Sequence, residues 1–368
     1  MAVVGKYLKS FKRLTGTLTN WVRHPLGSQS DPNLANCADL REQAWRHCTQ
    51  GEHGTAVGLL QDQITQLDAQ RRTERRDQEL AATLGILAAV YRNTGRPGAA
   101  LAAAERELHL YRSLGQDQDV ANALGSMAEL LTRQRRYADA EARYADAFCA
   151  AQLVKDRGLQ AIILEKLGVL KRQQEHYSHA IILFKEAISL LQRAGIQEEE
   201  MRLWDVLATT EVQQGELDTA ELSYARSFEL AERLGDRSQL AIYAQNVGIL
   251  YQKRAEQSTD AAIRQALLQQ AVASVEKSLT IKLEMGNEIG AEASYFQLGI
   301  LFWRLGQWTQ AEEYLLRATE LSEALNLPKV YKNYNVLARF AKGRGEQDAA
   351  AHWQAKCDAK VTELQHRL

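Results

Sequence analysis

The chain has 368 residues, a formal charge of −1 and 45% hydrophobic residues, with four prolines and four cysteines. That balance argues against a basic nucleic-acid-coating chain, and four scattered cysteines (Cys37, Cys48, Cys149, Cys357) frame no disulfide scaffold. Ala, Leu, Glu, Gln and Arg dominate, alternating β-branched runs are missing, and the reading is all-α. No apolar stretch approaches the roughly 20 residues that span a bilayer, so the expected compartment is the cytoplasm.

Residues 1–30 hold Lys6, Lys9, Lys12, Arg13 and Arg23 and no acid, with Val4, Tyr7, Leu8, Phe11, Leu14, Leu18 and Trp21 at helical spacing. This predicts a basic amphipathic helix that caps the first repeat, docks on a partner or makes a peripheral membrane contact. The linker "HPLGSQSDPN" follows, and a single elongated solenoid is expected over 39–368.

From there on, a glycine or alanine is followed by an alanine twelve residues later: Ala44/Ala56, Ala88/Ala100, Ala128/Ala140, Gly168/Ala180, Ala208/Ala220, Gly299/Ala311 and Ala338/Ala350. Gly248/Ala271 is the same pair with eleven extra residues. Small residues on two adjacent helices allow close antiparallel packing, so each pair marks one helical hairpin. The steps between first members are 44, 40, 40, 40, 40, 51 and 39 residues, the fixed period of a solenoid. About eight hairpins result.

Gly115, Gly195, Gly235, Gly286 and Asn326 recur where a second helix should end in a left-handed residue. Tyr144, Phe184 and Tyr224, four residues after the second-helix alanine, should wedge between units. The insertion falls at about 252–270, with a cap at Ser258-Thr259-Asp260 and a second helix from near Asp260 to Met285. Eleven residues are about three turns, which keeps the core register and predicts an overhang of roughly 16 Å.

The unit from Trp204 reads Trp204, Leu207, Ala208, Gly215, Ala220, Tyr224, and the next but one reads Tyr295, Leu298, Gly299, Phe302, Gly306, Trp308, Ala311, Ala318. These columns resemble the tetratricopeptide repeat family. The period near 40 and the Leu234-Gly235-Asp236 turn are similar to its longer-helix branch, of the kinesin-light-chain and polarity-adaptor type. The resemblance implies a right-handed superhelix whose first helices line a concave groove that holds peptides or partner helices.

Placed on that groove, the inward columns of units two to eight contain Arg92, Arg133, Arg172, Arg202, Lys253, Arg304, Lys332, Arg339 and Lys342, against Glu129, Glu165 and Asp205. A basic groove is expected, although the helix dipole favours cations in a last turn by about 0.3–1 kcal/mol each. Asn122, Asn246 and Asn335 can hold a peptide backbone, and Phe296 and Trp303 offer an apolar anchor. Asn122, Lys166, Arg202 and Asn246 do not complete the family's carboxylate clamp in any three neighbouring units.

Catalytic signatures are missing: there is no phosphate-cradling glycine loop, no His-Glu-x-x-His and no Gly-x-Ser-x-Gly. His176 and His179, and the group Cys37, His47, Cys48, His53, match no metal module, so no cofactor or metal is expected. Glu198-Glu199-Glu200 suits a helix start. The expectation is a non-catalytic scaffold or adaptor that grips an acidic or extended segment of another protein. Two alternatives stay open: a nucleic-acid-binding solenoid, and a peptide-sensing regulator acting through a partner in trans.

Overall fold

The computed structural model describes residues 36–365, which form sixteen α-helices and no strand among the described residues. The amphipathic helix read over residues 1–30 lies outside the described residues.

The helices divide into two compact units between Gln174 and Glu175. The first unit holds α1 (Cys37–Thr49), α2 (His53–Ala69), α3 (Glu74–Asn93), α4 (Pro97–Leu114), α5 (Asp117–Arg133), α6 (Tyr137–Leu153) and α7 (Arg157–Gln173). The second holds α8 (Tyr177–Ala194), α9 (Gln197–Gln214), α10 (Leu217–Leu234), α11 (Arg237–Gln257), α12 (Ala261–Glu284), α13 (Glu288–Arg304), α14 (Trp308–Ala324), α15 (Val330–Gly343) and α16 (Gln347–Gln365). Odd-numbered helices are the first helices of the repeats and even-numbered ones the second.

The alanine ladder is the packing contact. Ala56, Ala100, Ala140, Ala180, Ala220, Ala271 and Ala311 are completely buried, while Ala350, on the last helix, is half-buried. A Cβ built on Gly248 would lie 2.5 Å from Val275 Cγ2 and 3.2 Å from the Ala271 carbonyl oxygen. On Gly299 it would meet Leu315 Cγ at 2.6 Å and the Leu315 backbone nitrogen at 3.1 Å. The helices approach to a distance that only a missing side chain permits. Tyr144, Phe184 and Tyr224 are buried as well.

The expected left-handed terminators are present: Gly115, Gly195, Gly235, Gly286 and Asn326 all have positive φ. They belong to a finer series. Gly95, Gly115, Arg135, Lys155, Glu175, Gly195, Gly215 and Gly235 all have positive φ, one every 20 residues, so both ends of each hairpin turn in the same way. Each lies just past a helix, where the left-handed residue lets the next N–H groups return to the last carbonyls: Gln116 N donates to Tyr111 O and Ile196 N to Leu191 O, each at 3.1 Å.

The insertion is shared between two helices. α11 runs nine residues past Gly248, against five past Gly299 in α13, and α12 begins ten residues before Ala271, against three before Ala311 in α14. One turn is therefore added to the first helix and two to the second, four and seven residues making up the eleven. Each increment is close to a whole number of turns, so the buried face stays in register. The expected 16 Å overhang is corrected to about 6 Å on α11 and about 10 Å on α12, at 1.5 Å per residue. Asp260 caps α12 as read, its carboxylate accepting from the Ala262 and Ile263 N–H groups at 2.7 and 3.1 Å.

Candidate functional site

The exposed sides of the first helices carry most of the candidate residues, and a ladder of polar pairs ties those helices together. In the first unit Arg41 of α1 pairs with Glu79 of α3, both side chains buried. Arg92 of α3 donates through Nη1 to Glu129 Oε2 of α5 at 3.1 Å, and Lys166 Nζ of α7 reaches Glu129 Oε1 at 3.0 Å. Partners 37 residues apart are one repeat less about one turn, so neighbouring first helices meet slightly staggered. Burial alone would raise Glu129; the Lys166 ammonium and Arg92 guanidinium outweigh it and hold the carboxyl below its usual range.

The second unit repeats the device with other chemistry. Asn246 Nδ2 of α11 donates to both Asp205 oxygens of α9, at 2.9 and 3.1 Å. Burial pushes Asp205 up to about 6 against that hydrogen bond. Lys253 and Arg304 both pair with Glu256, at 2.9 and 2.6 Å, and Arg202 pairs with Glu199 at 2.6 Å. Asn333 of α15 donates to Glu292 of α13 at 3.0 Å.

These pairs redistribute the basic columns read from the sequence. Arg92, Arg202, Lys253 and Arg304 are ion-paired with Glu129, Glu199 and Glu256, of which the last two stand outside the columns counted and Glu256 is shared by two cations. Arg172 is half-buried and engaged. Asn122 is half-buried on α5, and Arg133 is exposed at its end with no ion pair among the described residues. His176 and His179 lie edge to face, 6.1 Å between centroids, and Cys48 Sγ lies 3.5 Å from His53 Nδ1. Groups of three metal-ligating side chains do not occur among the described residues.

Most of the column cations without an ion pair concentrate on one helix. Lys332, Asn335, Arg339 and Lys342 of α15 are all exposed, at spacings of three, four and three that place them on one stripe. The three cations have no ion pair among the described residues; Asn335 hydrogen-bonds the Cys357 thiol. Stepping back one repeat, by 39 residues, the matching stripe on α13 is Ala293, Phe296, Ile300 and Trp303, all half-buried. A further step of 51 reaches Ile242, Gln245, Ile249 and Gln252 of α11, with Ile242 40% and Ile249 37% exposed. Trp303 is braced edge-on against Phe340, centroids 5.6 Å apart. The first-helix side of the second unit thus presents aliphatic, aromatic and cationic columns in succession.

Exposed Ile242 and Ile249 and half-buried Ile300 were missed in the sequence because helical apolar residues were assigned to the core. Their signal is their place in columns that hold polar residues in the neighbouring repeat.

Two segments match family models described as tetratricopeptide repeat, residues 119–193 and 294–329. Comparison with curated proteins gives no match. Among solved structures the chain is similar to BtubC (BKLC) from P. vanneervenii, at 21% identity and a TM-score of 0.53 over 62% of this chain and 91% of that one. It is similar to aspartyl phosphate phosphatase F from Bacillus subtilis, at 14% identity and a TM-score of 0.57, over 79% and 71% of the two chains. A STAND protein with a tetratricopeptide repeat sensor, PH0952 from Pyrococcus horikoshii, gives a TM-score of 0.63 at 11% identity, over 92% of this chain and 52% of that one. At these identities the likeness is one of fold. Repeats of this kind imply protein–protein interaction, and no helix among the described residues is long and apolar enough to cross a membrane. With the small-residue hairpin contacts, the 20-residue series of left-handed turns and both matched segments in agreement, the chain is a tetratricopeptide-repeat protein.

Proposed function

We propose that this protein is a non-catalytic adaptor that holds a segment of a partner protein on the first-helix side of its second unit. The observation that carries the reading is the pair of unlike columns there: half-buried Phe296, Ile300 and Trp303 on α13, and exposed, unpaired Lys332, Arg339 and Lys342 on α15. A segment with large apolar side chains on one side and carboxylates on the other matches both. The apolar column supplies burial at about 25 cal/mol per Å², and the cations supply orientation and rate of encounter. Partnered polar groups such as Asp205–Asn246 hold the helices in place and keep that surface pre-formed.

The test is a selection of random twelve-residue peptides against the intact chain and against the triple variant Lys332→Glu, Arg339→Glu, Lys342→Glu. Exposed unpaired charges contribute little to folding, so the variant should melt within a few degrees of the parent. Peptides recovered on the parent should combine acidic and large apolar residues and be lost on the variant. Equal recovery on both proteins contradicts the assignment, and a labelled oligonucleotide bound by the parent and released by the variant would replace it with the nucleic-acid reading.

A further inference from the structure

The inserted turns line a notch of their own. α11 is extended by Arg254–Gln257, α12 begins with the added residues 261–267, and between them and the next repeat lies a notch of about 260 Å³. It is lined by Ala255, Glu256, Arg264, Leu268 and Arg304. Three of these five belong to the insertion; Arg304 is the last residue of α13, and Leu268 aligns with the first residue of an ordinary second helix. The floor is apolar and settled, with Ala255 and Leu268 both buried.

The charges of the two flanks differ. On one side Arg254 pins the added turn to the preceding repeat by pairing with Asp218 at 2.8 Å and Glu221 at 2.7 Å on α10. On the other, Arg264 is exposed and donates only to the Ser258 backbone oxygen, at 2.9 Å, with no carboxylate partner among the described residues. The single acid of the notch, Glu256, is already shared between Arg304 at 2.6 Å and Lys253 at 2.9 Å. Two guanidiniums and a nearby ammonium therefore meet one carboxylate, which leaves a net positive charge that a further carboxylate would reduce. The chain's own basic segment cannot supply it, because residues 1–30 contain no acid.

We infer that the inserted hairpin is a docking point for a second, separate segment of a partner protein. That segment carries an aspartate or glutamate beside an aliphatic residue. The carboxylate lies between Arg264 and Arg304, and the aliphatic side chain rests in the notch above the floor that Ala255 and Leu268 form. The inference does not depend on the columns of α13 and α15.

The probe is a fluorescent octapeptide, blocked at both ends, with one Leu-Glu pair in a Gly/Ser background; its Leu-Lys counterpart is the control. Anisotropy is read on the intact chain and on the variants Arg264→Glu and Arg339→Glu. The Leu-Glu peptide should bind, the Leu-Lys peptide should not, and Arg264→Glu should weaken binding at least tenfold while Arg339→Glu leaves it unchanged. Insensitivity to Arg264→Glu, or equal binding of the lysine peptide, overturns the inference. Loss on Arg339→Glu instead moves the peptide to the α13 and α15 columns and overturns it too. Self-association in the parent that disappears on Arg264→Glu overturns it by putting a second copy in the notch.

Discussion

Lys282 on α12 is buried, and no carboxylate pairs with it among the described residues. Its ammonium is held by Gln245 Oε1 at 2.7 Å and Ser294 Oγ at 2.8 Å, and burial brings its pKa down to about 8. Because the folded value lies below the unfolded one, the unfolded chain binds more protons between about pH 8 and pH 10.5. Stability from this group therefore rises with pH across that window and is lost as pH falls through about 8. Denaturant melts of the parent and of Lys282→Met should show the difference shrinking as pH rises, with the variant the more stable at pH 7. A constant difference would mean that Lys282 is solvated as an ordinary lysine. Nothing in the sequence distinguished this lysine from its neighbours, because its burial depends on side chains 12 and 37 residues away. The ion pairs of the first helices were hidden for the same reason. Arg92 and Arg304 were legible as cations in inward columns, but their pairing with Glu129 and Glu256 depends on stagger between helices, which a residue count does not contain.

At the scale of the helical hairpin, the small-residue columns were legible because a close crossing restricts composition more severely than any other feature of a helix. Two glycines on first helices separate that requirement from mere tolerance. Gly299→Ala puts a Cβ 3.1 Å from the Leu315 backbone nitrogen, so a side-chain rotation cannot relieve it, and chemical denaturation should show a loss of about 1–3 kcal/mol. Gly125 on α5 has nothing within 4 Å of the same position, and Gly125→Ala should gain about 0.5–1 kcal/mol by restricting the unfolded chain. Equal effects would show that the crossing is not set by the small residue. Turns were half legible. The glycines and Asn326 announced their left-handed backbone, whereas Arg135, Lys155 and Glu175 adopt it without any compositional sign, being placed there by the 20-residue period alone. For the insertion, its length and the Asp260 cap could be read, but not the division of eleven residues into one turn and two. Both divisions preserve the buried face, and only packing against the neighbours chooses between them.

For the molecule as a whole, a repeat fold distributes stability over nearest-neighbour interfaces, which leaves the outward sides of its first helices free to vary from repeat to repeat. In this chain the variation is ordered: paired charges on α3, α5 and α7, and aliphatic, aromatic and cationic columns on α11, α13 and α15. The claim that this ordered side receives the partner is tested most directly by hydrogen exchange on the full chain, with and without a peptide recovered in the selection. Protection should appear in α11, α13 and α15, reach its maximum around Phe296–Trp303 and Lys332–Lys342, and leave the second helices α10 and α14 unchanged. Protection confined to the second helices, or to α3, α5 and α7, would contradict the account.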